Sequence, residues 1–78
     1  MLSLQGQTAE ALYHLQAAVR LMPSSATLRN NLGVALVNAG RLPEAVQQFA
    51  EALRLQPNFQ EAYENLQAAR NLRPTKGQ

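Results

Sequence analysis

The 78-residue sequence predicts an all-α protein, built as an α-solenoid of antiparallel helix-turn-helix repeats with four helices. Three observations predict it. The sequence matches itself at an offset of 34 residues, proline-centred turn signals recur at that spacing, and small residues return at fixed places inside the period.

Sliding the chain by 34 residues pairs Leu2 with Leu36, Gly6 with Gly40, Glu10 with Glu44 and Ala11 with Ala45. It continues through Ala18/Ala52, Arg20/Arg54, Leu21/Leu55, Pro23/Pro57, Asn31/Asn65, Leu32/Leu66 and Ala35/Ala69. These 11 identities fall in a gapless overlap of 44 residues. Unrelated sequences of this composition would share roughly three or four, and a fixed period of this length marks a repeat architecture.

The turn signals divide each period into two helices, giving expected spans of 7–22, 25–39, 42–56 and 59–72. The first shows apolar spacing of three and four through Ala11, Leu12, Leu15, Ala18, Val19 and Met22. Gly6 is expected to end a preceding element in the left-handed conformation, as Gly40 does after the second helix. Pro23-Ser24 and Pro57-Asn58 stop one helix and start the next, with Ser24 and Asn58 as expected N-caps. Asn58 and Glu61 have capping-box spacing. The second helix carries Leu28, Leu32, Ala35, Leu36 and Ala39, and the third Ala45, Val46, Phe49, Ala52 and Leu53. Pro43 falls in the third helix's first turn, where its missing N–H costs nothing. Every helix is expected to be amphipathic, none buried all round. Such short connections impose antiparallel neighbours.

Composition narrows the function. Cysteine is absent, which excludes disulfides, thiolate zinc sites and cysteine nucleophiles. The net charge of +2 is spread along the chain without a basic run or interleaved aromatics, so no nucleic-acid partner is expected. No apolar stretch approaches the roughly 18 residues of a membrane span, and the N-terminus lacks the basic and apolar regions of a signal peptide. The expected location is cytoplasmic. His14 is the only histidine and a poor metal site alone, Ser24 is better explained by capping, and the five carboxylates form no acid/base pair. No enzyme activity, cofactor, metal or small-molecule substrate is expected.

The stretch 26–59 resembles one complete tetratricopeptide repeat. Leu32-Gly33 fills the family's Leu-Gly pair, followed by Ala45, Phe49, Ala52 and Pro57, while Arg29 and Leu36 stand at its Trp-like and Tyr-like positions. The small residues suit the close crossing of two helices, and Phe49 is expected to fill the space toward the next repeat. Gly6, Ala11, Leu15, Ala18 and Pro23 match only a second half-repeat, so 7–22 is read as the second helix of a partial repeat. In 59–72, Tyr63 and Leu66 fit, but Gln67 and Arg70 are polar, as a capping helix requires. The domain is therefore expected to span 1–72, with a polar tail at 73–78.

The resemblance implies a protein–protein interaction scaffold that receives a peptide or partner helix in a concave groove. By family register the groove positions are Thr27, Asn30, Asn31, Val34, Val37 and Asn38, then Glu61, Glu64, Asn65, Ala68 and Asn71. The repeated pair Asn31/Asn65 is similar to the asparagine ladder in the repeat array of O-linked N-acetylglucosamine transferases. A mid-helix amide competes with the backbone yet can bond a peptide by donor and acceptor together. The carboxylate clamp of chaperone-binding members is not matched: Asn30 and Val34 stand where it has Lys and Asn, and Glu61 replaces a later Lys. Two alternatives accompany the scaffold reading. One is a substrate-selecting or regulatory segment of a larger glycosyltransferase; the other is a structural module that forms homo-oligomers.

Overall fold

A computed structural model describes residues 4–72, with side chains from Gln7 onward. The polar tail and Leu2 lie outside the described residues. Within them the chain forms four helices and no strand: α1 (Leu4–Leu21), α2 (Ala26–Asn38), α3 (Leu42–Leu55) and α4 (Gln60–Leu72). Connections of four, three and four residues turn each helix back on the last, so α2 and α4 run parallel. The α2–α3 interface is the most extensive; α3 also packs on α4 and α1 on α2, while α2 and α4 touch lightly.

The turns explain where the helices begin. Met22 carbonyl accepts from Ser25 N–H at 3.1 Å and Gln56 carbonyl from Phe59 N–H at 3.0 Å, closing β-turns centred on Pro23-Ser24 and Pro57-Asn58. Proline's fixed φ suits the second turn position, so Ser24 and Asn58 occupy the third. The expected caps are thus corrected by one residue. Ser25, in extended conformation, caps α2: its Oγ accepts from Leu28 N–H at 3.2 Å. At α4 the carbonyl of Phe59 accepts the first helical bond, from Tyr63 N–H, and Asn58 stays in the turn. Accordingly Ser25→Ala is expected to cost about 0.5–2 kcal/mol in urea denaturation, whereas exposed Ser24→Ala stays within about 0.5 kcal/mol.

Gly40 ends α2 as expected, with φ +78°. Arg41 N–H reaches back to Leu36 carbonyl at 2.8 Å and Gly40 N–H to Val37 carbonyl at 2.9 Å, the paired bonds of a Schellman motif. Pro43 then sits in the first turn of α3. Gly6 behaves differently and lies inside α1. No proline follows it at the spacing of Pro43 from Gly40, so nothing compels a break.

The core joins all four helices through Leu12 and Val19 of α1, Leu32, Ala35 and Leu36 of α2, Ala45 and Phe49 of α3, and Ala69 of α4. Phe49 is 1% exposed, and its ring lies against Gly33 of its own repeat. It thus fills the α2–α3 crossing as well as facing the next repeat through the core it shares with Ala69. A second cluster brings Ala26, Ala52 and Ala62 together where α2, α3 and α4 meet. Ala45 and Ala52 are fully buried, consistent with close helix approach at small residues.

The exposed face of α2 is narrow. α2 buries Ala26, Asn30, Leu32, Gly33, Ala35 and Leu36 around most of its circumference, because it touches every other helix. Arg29, at the Trp-like position, braces this crowding by donating to Pro23 carbonyl and to Gln48 Oε1, both at 3.1 Å. On the surface of α3, Arg41 pairs with Glu44 and Arg54 with Glu51, each three residues apart. Hydrogen bonding to these arginines holds both carboxyl groups below the ordinary carboxylate value.

Candidate functional site

What α2 leaves exposed is a single stripe: Thr27, Asn31, Val34 and Asn38, spaced four, three and four residues apart. Side chains at that spacing share one helix face. On α4 the positions one period on are exposed Glu61, Ala68 and Leu72 and half-buried Asn65, while Glu64, one period on from buried Asn30, is exposed beside them. Asn71 is exposed at the end of α4, and Val37 is half-buried on the flank of α2. Toward their C-terminal ends the two helices, with Phe49 of α3, border an open pocket of about 110 Å³ whose lining includes Val34, Val37, Asn38, Asn65, Ala68 and Leu72. Small-molecule sites run to about 300–1,000 Å³, so this pocket is the size for one side chain.

The two asparagines of the repeated pair sit in different surroundings. Asn31 is exposed, and its side chain meets no partner among the described residues. Asn65 instead donates from Nδ2 to Asn30 Oδ1 at 3.0 Å, and Asn30 is 1% exposed. The bond joins residues 35 apart, one more than the repeat period, because the two helices meet at neighbouring rather than identical register positions. Asn30 is therefore withdrawn from the accessible groove set; its carbonyl is part of the α2–α4 contact. This has a measurable consequence. Asn65→Ala leaves a buried acceptor without its donor and is expected to cost about 1–3 kcal/mol, while Asn31→Ala changes stability by less than about 0.5 kcal/mol. A thermal or urea melt of each variant distinguishes the lock from the exposed amide.

The groove is chemically uneven along its length. Its N-terminal half presents Glu61 at the position matching uncharged Thr27, with exposed Glu64 three residues along α4; its C-terminal half is the apolar pocket. Glu64 accepts from Gln60 Nε2 at 3.0 Å, but neither groove carboxylate is in an ion pair with a described residue, unlike Glu44 and Glu51 on α3. A larger hollow of about 450 Å³ lies between α1 and α2, lined by Gln7, Thr8, Ala11, Ala35 and Asn38. Its floor includes exposed Ala11, whose counterpart one period on, Ala45, is fully buried against α2. His14 is exposed on α1, its ring edge-on to Tyr13 with centroids 5.4 Å apart.

The profile of the tetratricopeptide repeat matches residues 2–70. The chain belongs to the tetratricopeptide repeat family. Its relatives are otherwise diverse. It is 39% identical over 62 residues to the TPR repeat-containing thioredoxin TTL4 of Arabidopsis thaliana, an alignment covering 80% of this chain and 9% of that protein. It is 43% identical over 61 residues to Protein FlbA of Caulobacter vibrioides, covering 78% of this chain and 10% of that protein. It is 41% identical over 51 residues to the peroxisomal targeting signal receptor of Candida glabrata, covering 65% and 9%. The chain thus spans about a tenth of the length of these relatives. What they share with it is the tetratricopeptide module, a protein-interaction unit.

No described helix of this tetratricopeptide chain is long and apolar enough to cross a membrane. Of the groove positions assigned from sequence, Thr27, Asn31, Val34, Asn38, Glu61, Glu64 and Ala68 are exposed, Asn65 is half-buried, and Asn30 is buried. Leu72 was missed. The signal that finds it is its place eleven residues beyond Glu61, three helical turns along the same stripe.

Proposed function

We propose that this tetratricopeptide chain is a binding scaffold that receives an extended peptide in the groove between α2 and α4. The observation that carries the reading is the exposed stripe of α2. On a helix buried almost everywhere else, Thr27, Asn31, Val34 and Asn38 face the groove, and the two C-terminal positions line its pocket. A relative named as a receptor for a targeting signal supports the same use of the module. Catalysis forms no part of this reading.

The test is blockade of the pocket from an exposed position. Peptides selected from a random display library on the full chain are expected to lose binding to Ala68→Arg, with far-UV circular dichroism and melting temperature unchanged. Selected peptides that bind Ala68→Arg as well as the parent chain would place the binding surface elsewhere.

A second reading is self-association through α1, favoured by the exposure of Ala11 where Ala45 is fully buried. Light scattering across a concentration series checks it. A mass that stays monomeric at high concentration removes it.

A further inference from the structure

Resting on the groove reading, we infer that the peptide recognised carries an aliphatic side chain for the α2–α4 pocket and a lysine or arginine two or three residues away. Two features of the groove fix this chemistry. The pocket is walled by Val34, Val37, Ala68 and Leu72, and its volume of about 110 Å³ admits one branched aliphatic group. It has only amides as polar neighbours, Asn38 and Asn65, and the Asn65 Nδ2 is engaged with Asn30. A charged group entering here would be desolvated without a counter-ion.

The second feature is the charge beside it. Glu61 and Glu64 lie on the same face of α4 as Ala68, about 10 Å and 6 Å from it along the axis at 1.5 Å per residue. An extended peptide advances about 3.3 Å per residue, so those distances correspond to two or three residues of ligand. On α3 each carboxylate holds an arginine three residues away; on α4 Glu61 and Glu64 hold none among the described residues. The opposing stripe of α2 offers no charge of either sign. Among the described residues no cation pairs with either carboxylate, so this half of the groove carries negative charge. It attracts a cationic side chain and repels an acidic one, which sets register and selectivity more than raw affinity.

Fluorescein-labelled ten-residue peptides test the inference by anisotropy. Each carries one leucine at a fixed position with lysine two or three residues to either side; controls replace that lysine with glutamate or the leucine with glycine. The best lysine–leucine peptide is expected to bind about five- to tenfold tighter than its glutamate counterpart. That preference should collapse on Glu61→Gln/Glu64→Gln and weaken with added salt. The leucine-to-glycine control should lose binding to the parent chain.

A lysine preference that survives Glu61→Gln/Glu64→Gln overturns the inference, as does indifference to the leucine or absence of binding by every lysine–leucine peptide. Ala68→Arg separates this from the groove reading. Peptides blocked by Ala68→Arg but blind to lysine leave the groove standing and remove the selectivity; peptides indifferent to Ala68→Arg remove the groove itself.

Discussion

Replacing Phe49 with alanine is expected to cost about 3–5 kcal/mol, read from urea denaturation followed by far-UV circular dichroism. The ring is 1% exposed and belongs to the one cluster that includes residues of all four helices. Its removal empties the α2–α3 crossing, where Gly33 on one side and Ala45 on the other are too small to collapse inward. At about 0.05–0.15 kcal/mol per residue, a chain of this length has a total stability of roughly 4–12 kcal/mol. The loss is therefore a large share of the whole, and α2 is expected to melt together with α3. A solenoid is stabilised by nearest-neighbour interfaces, so losing the most extensive one uncouples the ends. A cost below about 1 kcal/mol would show that the crossing is held by something other than this ring. Phe49→Leu should retain part of the stability because it keeps most of the apolar contact.

The residues differ in how openly they declare their places. The fold was legible because a solenoid writes each contact twice: the pairs Ala18/Ala52, Leu21/Leu55 and Pro23/Pro57 mark helix faces and turns at a fixed spacing. What the period could not resolve was where one conformation passes into the next. Pro23-Ser24 and Pro57-Asn58 carry capping residues, but proline's preference for the second position of a β-turn moves the helix start one residue on. The shared glycines Gly6 and Gly40 have different conformations because only the second is backed by a proline three residues later.

The candidate site was legible only in part, for a related reason. Matching identical register singled out Asn31 and Asn65, whereas contacts between parallel helices form at adjacent register. The bond between Asn30 and Asn65 spans 35 residues and leaves no trace in a comparison at 34. Asn30 and Asn31 are neighbours in sequence and alike in chemistry, yet one is 1% exposed and the other open to solvent. Only the packing of α2 among three helices separates them. For this reason Asn31, Val34 and Ala68 are the positions at which to probe the proposed peptide site, while a loss of binding in Asn65→Ala would report mainly on the scaffold.

Gly33→Val is expected to destabilise the chain by about 1–3 kcal/mol or more, and Gly33→Ala by less but with the same sign. The alanine case is the more telling. A glycine in an open helix interior gains up to about 1 kcal/mol on becoming alanine. Here a Cβ would lie 2.7 Å from Phe49 Cδ1 and 2.8 Å from Cζ, far inside the roughly 3.5–4.0 Å of favourable carbon contact. The ring cannot turn aside, because Phe49 is enclosed by the core and helix α3 is itself pressed against α4. Relief must come from α2 and α3 moving apart, which loosens Leu32 and Leu36 in the same interface. Trimming the ring should undo the damage: in a double-mutant cycle, Gly33→Ala with Phe49→Leu should be less destabilising than the sum of the two single changes. The expected coupling is about 0.5–3 kcal/mol, as for residues in direct contact. A stabilising Gly33→Ala, or a cycle that adds without coupling, would mean that the glycine is there for some reason other than the close approach of Phe49.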